Sequence, residues 1–364
     1  MLVFKGKTLS LMSMFQKSIK LFFVVVFAYM SMCFVNAETG NGVYRFLNLP
    51  FNAKLAGMGG ENVSVQSDDV NQFYTNPALF TPSLKNKISL SYVNYLADAN
   101  GGMASYSYML DSLNYFGFNF LFMGYGDLAG YDRYGNEIGE FSAGDFAWNL
   151  VYARYLGATI KVGLSMKPVY SHIDTYNSFG LGFDLGANYY KQEWDFSVGF
   201  SVRNFGFRFT DYYEDQETER LPWNMQLGVT KGLEHAPFRF SITYDHLNAW
   251  SLDYNRPKKK TSLMSIDEEN NDLDEIKFAD MLFRHFVFGL EVIIHKNFHI
   301  DMAYNHRRNR EYTLSEARGI NGFSFGAGFK VYKFNLDAAY AQYAPSGGTF
   351  TLSLSSSIDS FKKQ

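Results

Sequence analysis

Cysteine is almost missing from these 364 residues: there is one, Cys33. It falls in an N-terminal stretch that reads as disposable. Lys5, Lys7, Lys17 and Lys20 precede an apolar run over 21–29, and Val35-Asn36-Ala37 offers small residues for cleavage. Residues 1–37 therefore read as a secretory signal peptide. The bulky Met30-Ser31-Met32 ahead of Cys33 speaks against lipoprotein processing. The mature chain then has no thiol, which excludes disulfides, catalytic cysteines and cysteine-ligated metals. Long hydrophobic runs are also lacking. Beyond the signal no stretch of about 18 apolar residues occurs, so no segment is suited to cross a bilayer as a helix. Basic excess is missing too, with 33 Lys and Arg against 36 Asp and Glu. Losing the signal removes four lysines and no acid, moving the formal charge from −3 to −7. A mildly acidic chain has no electrostatic footprint for nucleic acid.

Catalytic patterns are equally scarce. The histidines are His172, His235, His246, His285, His295, His299 and His306. None makes a helix-spaced metal pair, and His295 and His299 flank a tight turn. There is no Gly-x-Ser-x-Gly elbow. Asp245-His246 is the one tempting neighbourhood, but adjacent strand residues point to opposite faces, so the pair is not expected to act together. Gly124-Tyr125-Gly126 and Gly326-Ala327-Gly328 lack the strand-to-helix setting of a phosphate loop. The expectation is a protein that is not an enzyme and has no cofactor and no metal.

Aromatic residues, by contrast, are abundant: 18% of the chain, with 36 Phe and 26 Tyr. They fit the aromatic belts of a membrane barrel. From residue 87 onward the hydropathy alternates with period two in about fourteen segments. Leu181, Phe183, Leu185, Ala187 and Tyr189 alternate with Gly182, Asp184, Gly186, Asn188 and Tyr190. Trp223, Met225, Leu227 and Val229 alternate with Asn224, Gln226, Gly228 and Thr230. The apolar set is expected to face lipid and the polar set the lumen. Links at 110–112, 156–158, 191–193, 234–237, 294–297 and 332–333 are tight, whereas those at 124–144, 205–222 and 247–282 are long. Tight turns on one rim and long loops on the other describe an all-β, transmembrane outer-membrane barrel of about fourteen antiparallel strands. By strand parity the long loops face outward. Pro168 is expected at a rim, where its missing donor is harmless.

Residues 38–86 alternate poorly and carry Gly57-Met58-Gly59-Gly60, Asp68-Asp69 and Asn76-Pro77-Ala78. They are expected to form a hatch or plug inside the barrel of residues 87–364. Small lumen-facing Gly and Ser leave room for one. Two outward loops hold mixed charge: Arg208, Asp211, Tyr212 and Tyr213 in the first, Lys258, Lys259 and Lys260 in the second. These are candidate partner-binding residues.

The opening Tyr44-Arg45-Phe46-Leu47-Asn48-Leu49-Pro50, with Ala53-Lys54-Leu55-Ala56-Gly57-Met58-Gly59-Gly60 and Asn76-Pro77-Ala78-Leu79, resembles the hatch of FadL-like outer-membrane barrels. Gly139-Glu140-Phe141-Ser142-Ala143-Gly144-Asp145 and His235-Ala236-Pro237-Phe238-Arg239 add likeness to the PorQ branch, related to PorV, of the type IX secretion system. That resemblance covers essentially the whole mature chain. It implies a multi-pass protein of the cell outer membrane, in contact with its lipids. It further implies a non-enzymatic part of the attachment complex, with PorU-, PorV- and PorZ-like partners. The chemistry would be PorU's, and the barrel would anchor a PorZ-like protein where cargo is attached to anionic lipopolysaccharide. Two alternatives stand beside it. One is a FadL-like transporter of hydrophobic small molecules, which needs an apolar lumen and a lateral opening. The other is a PorV-like shuttle for secreted cargo signals.

Overall fold

The computed structural model describes residues 42–96, 98–210, 220–252, 276–311, 320–344 and 347–361. Fourteen strands follow in order: β1 (Lys87–Asn94), β2 (Asn100–Met109), β3 (Asn114–Tyr131), β4 (Glu137–Tyr155), β5 (Ile160–Ile173), β6 (Tyr176–Lys191), β7 (Phe196–Arg208), β8 (Asn224–Gly232), β9 (Phe238–Tyr244), β10 (Phe286–His295), β11 (Phe298–Asn305), β12 (Phe323–Val331), β13 (Phe334–Ala344) and β14 (Gly347–Ser357). Each pairs antiparallel with its neighbours, and β14 closes on β1 from Lys87↔Ser357 to Asn94↔Phe350. Closure leaves no strand edge unpaired, which a lipid environment demands.

The period-two pattern sorts the faces as expected. On β1, Ser89 and Ser91 are buried while Leu90 is 63% exposed and Tyr92 47%. On β6, Asp184 and Asn188 are buried and Leu185 is 59% exposed. Met225 departs from the pattern. It is buried, with the loop after β9 folded against it through Leu247 N to Met225 O.

The outer rim differs from the expected run of long loops. Residues 124–144 are not a loop. β3 and β4 continue through them as an 18- and a 19-residue strand, leaving only 132–136 as a link. The tip is held by Asp132, whose carboxylate accepts from Tyr134 N and Asn136 N. β5 passes to β6 with two residues between them. Strands β3–β7 run 13–19 residues and β8–β12 run 7–10, and the longest links, 209–223, 245–285 and 306–322, follow β7, β9 and β11. Part of the length read as loop is strand height. Pro168 is also not at a rim. It lies within β5 opposite Leu181, and the β4–β5 ladder is interrupted beside it, running to Ala147↔Val169 and resuming at Leu150↔Met166. A residue without an N–H donor fits such a gap.

Candidate functional site

Residues 43–84 occupy the lumen and are buried almost throughout. They form a 3₁₀ turn (Arg45–Asn48), a short helix α1 (Ala53–Gly57), and further 3₁₀ turns at Val70–Tyr74 and Pro82–Leu84. Asn52 starts α1 by accepting from Leu55 N at 2.8 Å, and Asp69 caps the next turn through Asn71 N. α1 stops at Gly59 and Gly60, both at positive φ, a conformation glycine adopts without the Cβ penalty. Gly57 packs against the backbone of Gly326 on β12.

The Asn76-Pro77-Ala78 motif is a wall clip. Asn76 Nδ2 donates to Val63 O at 2.8 Å and to Ala187 O at 3.3 Å, while its Oδ1 accepts from Ala78 N. Pro77 lies against Gly163 and Gly186, neither of which has room for a Cβ. The glycines of the inner wall thus mark where this segment's backbone touches β5, β6, β7 and β12, and where its Val63 and Ser64 side chains touch β8. Hydrogen bonds complete the ring: Tyr44 to Ser178, Asn71 to Ser89, Ser64 to Thr230, Asn62 to Ser241 and Ala53 N to Ser353. Each is worth about 1 kcal/mol net, and they attach the segment to strands all around the barrel.

Charged contacts are fewer and more expensive to break. Lys54 on α1 reaches Glu291 at 2.5 Å and Asp301 at 2.9 Å, all three nearly inaccessible. Arg239 braces Glu291 at 2.7 Å and Asp195 at 3.1 Å. Lys167 and Asp184 pair at 2.7 Å, with Ser165 and Asn204 completing the set. A bulge on β7 places both Arg203 and Asn204 inside. Arg203 there reaches Glu61 at 3.4 Å and Leu47 O at 3.2 Å.

Two apolar clusters pack the segment against the wall. Toward the long-loop rim, Tyr44, Phe46, Leu47, Phe51 and Tyr74 pack on Met103, Leu121 and Met123. Toward the short-turn rim, Phe73 and Phe80 stack at 4.7 Å and pack with Tyr115. Below them opens a vestibule of about 1170 Å³, lined by polar and charged residues including Lys161, Arg239, Glu291, His299 and Asp337.

On the long-loop rim two short helices, α2 (Phe278–Arg284) and α3 (His306–Glu311), form a cap. Asp280 is its hub, meeting His306 at 2.9 Å, Arg284 at 3.0 Å and Arg310 at 2.8 Å. Burial works against ionisation of Asp280, but hydrogen bonds from His306 and Arg284 outweigh it and hold the carboxyl below its ordinary range. Trp250, Phe278 and Phe283 remain exposed on this cap. Asp245 and His246 lie beside it and do meet, at 2.8 Å, contrary to the expectation from strand geometry. β9 ends at Tyr244 and His246 adopts a positive φ, so the alternation rule no longer applies. Arg307 also binds Asp245, at 2.9 Å, so the pair belongs to an ion network.

Arg208 is the last residue of β7 and is buried. Asp211, Tyr212, Tyr213 and Lys258 to Lys260 lie outside the described residues. The buried partners Lys54, Arg239 and Asp301 were not singled out from sequence. The signal available was period two: Asp301 and His299 share the inward face with Glu291's strand neighbour positions.

A closed, fourteen-stranded antiparallel barrel of the outer-membrane type, with a segment folded in its lumen, is the architecture of FadL-like proteins. Three solved structures share it. The CymD monoaromatic hydrocarbon channel aligns with a TM-score of 0.54 and 12% identity, over 85% of this chain and 98% of that one. The TodX monoaromatic hydrocarbon channel deltaS2 mutant gives 0.53 and 10%, over 85% and 98%. The Pseudomonas putida toluene transporter TodX gives 0.50 and 11%, over 84% and 97%. At such identities the likeness is one of fold. No family model matches the sequence, and no curated protein matches it.

Proposed function

We propose that this chain is a non-enzymatic barrel of the outer membrane whose plugged body anchors a surface partner. The partner would be a PorZ-like protein of the type IX attachment complex, alongside PorU- and PorV-like proteins. The observation that carries this reading is the lumen: the N-terminal segment is bonded to strands around the wall, and two apolar clusters pack it against the inner face. A lumen filled in this way suits an anchor better than a conduit. Support comes also from the outer cap, where Trp250, Phe278 and Phe283 are presented beside a braced ion network. Aromatic side chains in such settings are frequent anchors of protein interfaces. The test is a gentle detergent pull-down of the tagged protein from its native membrane with mass spectrometry. Recovery of PorU-, PorV- and PorZ-like proteins supports the reading. Recovery of the barrel alone with a hydrophobic compound overturns it.

A second reading, a channel for hydrophobic small molecules, draws on the fold shared with hydrocarbon channels. It also draws on the interrupted β4–β5 ladder, where Trp148, Pro168, Tyr170 and Phe179 line an external recess. Uptake of labelled toluene by vesicles carrying the protein would favour it. The PorV-like shuttle has no such observation in its favour.

A further inference from the structure

Four inward side chains converge on the vestibule wall beneath α1. Glu291 on β10 is the cross-strand partner of Asp301 on β11. His299 lies two residues before Asp301, on the same face. Asp337 stands on β13, two strands from His299. Between them is Gly328 on β12, paired with His299 on one side and Asp337 on the other. Because Gly328 has no side chain, the imidazole and the carboxylate reach across β12 and meet; a Cβ there would overlap Asp337 Oδ1 and His299 Cε1.

The geometry of that meeting is specific. His299 Nε2 is 3.4 Å from Asp301 Oδ2 and 3.4 Å from Asp337 Oδ1. It is enclosed and aligned for a hydrogen bond with neither. Two donors bound to tetrahedral Zn²⁺ at about 2.0–2.1 Å stand about 3.4 Å apart. Ligand atoms of Glu291, His299 and Asp301 all fall within 4.8 Å of one another. Lys54 engages Asp301 through Oδ1, which leaves Oδ2 facing the imidazole.

Charge points the same way. Asp195, Glu291, Asp301 and Asp337 face Lys54 and Arg239, an excess of two negative charges when His299 is neutral. Asp69 and Lys87 act on Asp337 with opposite sign. Access is open, since Glu291, His299, Gly328 and Asp337 all line the vestibule. Mixed imidazole and carboxylate donors suit borderline divalent cations, Zn²⁺ among them.

We propose that Glu291, His299 and Asp301 form a binding site for a divalent transition metal of the Zn²⁺ class, with Asp337 or water as the fourth donor. The ion would brace β10 to β11 and offset the carboxylate charge around Lys54. The site is independent of the anchoring role.

The test uses the full-length protein in detergent, carrying a tag without histidine, stripped with chelator and dialysed. Zn²⁺ is titrated with retained metal measured by elemental analysis, and Co²⁺ is used as a visible probe of coordination. Folding is checked by heat-modifiable gel migration. The expected result is about one Zn²⁺ per barrel and a tetrahedral Co²⁺ spectrum. His299→Ala and Asp301→Asn should each weaken binding at least about tenfold. His295→Ala, at an exposed turn, should leave it unchanged. Absence of retained Zn²⁺ in the folded wild type overturns the proposal, as does equal uptake by wild type and His299→Ala. In that case His299 is a structural contact between Asp301 and Asp337.

Discussion

Replacing Lys54 by Met should release α1 from the wall while leaving the barrel standing. Met keeps most of the apolar stem and removes the charge. Glu291 and Asp301 would then lose their partner at 2.5 and 2.9 Å. Removing one member of a buried pair costs about 3–5 kcal/mol, because the other charge is left behind. The lower end applies here, since Lys54 borders the open vestibule and Arg239 still braces Glu291. A loss of about 3 kcal/mol raises the local opening constant about a hundredfold. The probes are the amides of Ala56, Met58 and Gly60, which bond to Asn52 O, Lys54 O and Leu55 O inside the segment. Hydrogen exchange followed by mass spectrometry should show them exchanging about a hundred times faster in Lys54→Met. Amides of β13 and β14 should be unchanged. Adding Glu291→Gln and Asp301→Asn removes the orphaned charges and should recover at least half of the lost protection. Exchange within a factor of about three of wild type in Lys54→Met would refute the view that this ion pair latches the segment.

Three further outcomes are expected. Gly199→Ala would drive a Cβ into Val63 O, at a cost of about 1–3 kcal/mol; limited proteolysis should then cut within residues 62–66 while the barrel stays heat-modifiable. Asp280 should make the outer cap acid-sensitive. Its folded-state carboxyl lies below its ordinary range, so the stability it contributes is present above about pH 4 and is lost as pH falls through the lowered value. Trp250 fluorescence, compared with a Trp250→Phe control, should therefore change below about pH 4, and Asp280→Asn should abolish that transition. Deleting residues 253–275 should leave the barrel folded and weaken co-purification of a surface partner.

The barrel was legible because each strand writes its own faces. Leu181 to Tyr190 and Phe323 to Lys330 alternate so cleanly that lipid side and lumen side follow from composition alone. Strand height was not legible. Nothing in the alternation of residues 124–144 separates a loop from a tall hairpin, because exposed Tyr131 and Ile138 look alike in either. Pro168 misled for the same reason: a proline marks a missing donor, and only the neighbouring strand shows that the ladder is open there. The Asp245–His246 contact turned on one positive φ. The small residues of the wall announced that something packs inside. They did not announce that Gly328 brings His299 to Asp337, because that contact joins strands separated by a third.

The most direct test of the anchoring account is photo-cross-linking from the outer cap. Phe278 is 70% exposed there and tolerates a photoreactive side chain without disturbing the Asp280 network. Irradiation of native membranes should yield an adduct with a PorZ-like surface protein, and the same probe at Phe325, on the lipid face, should yield none. Adducts with lipid alone at both positions would contradict the account.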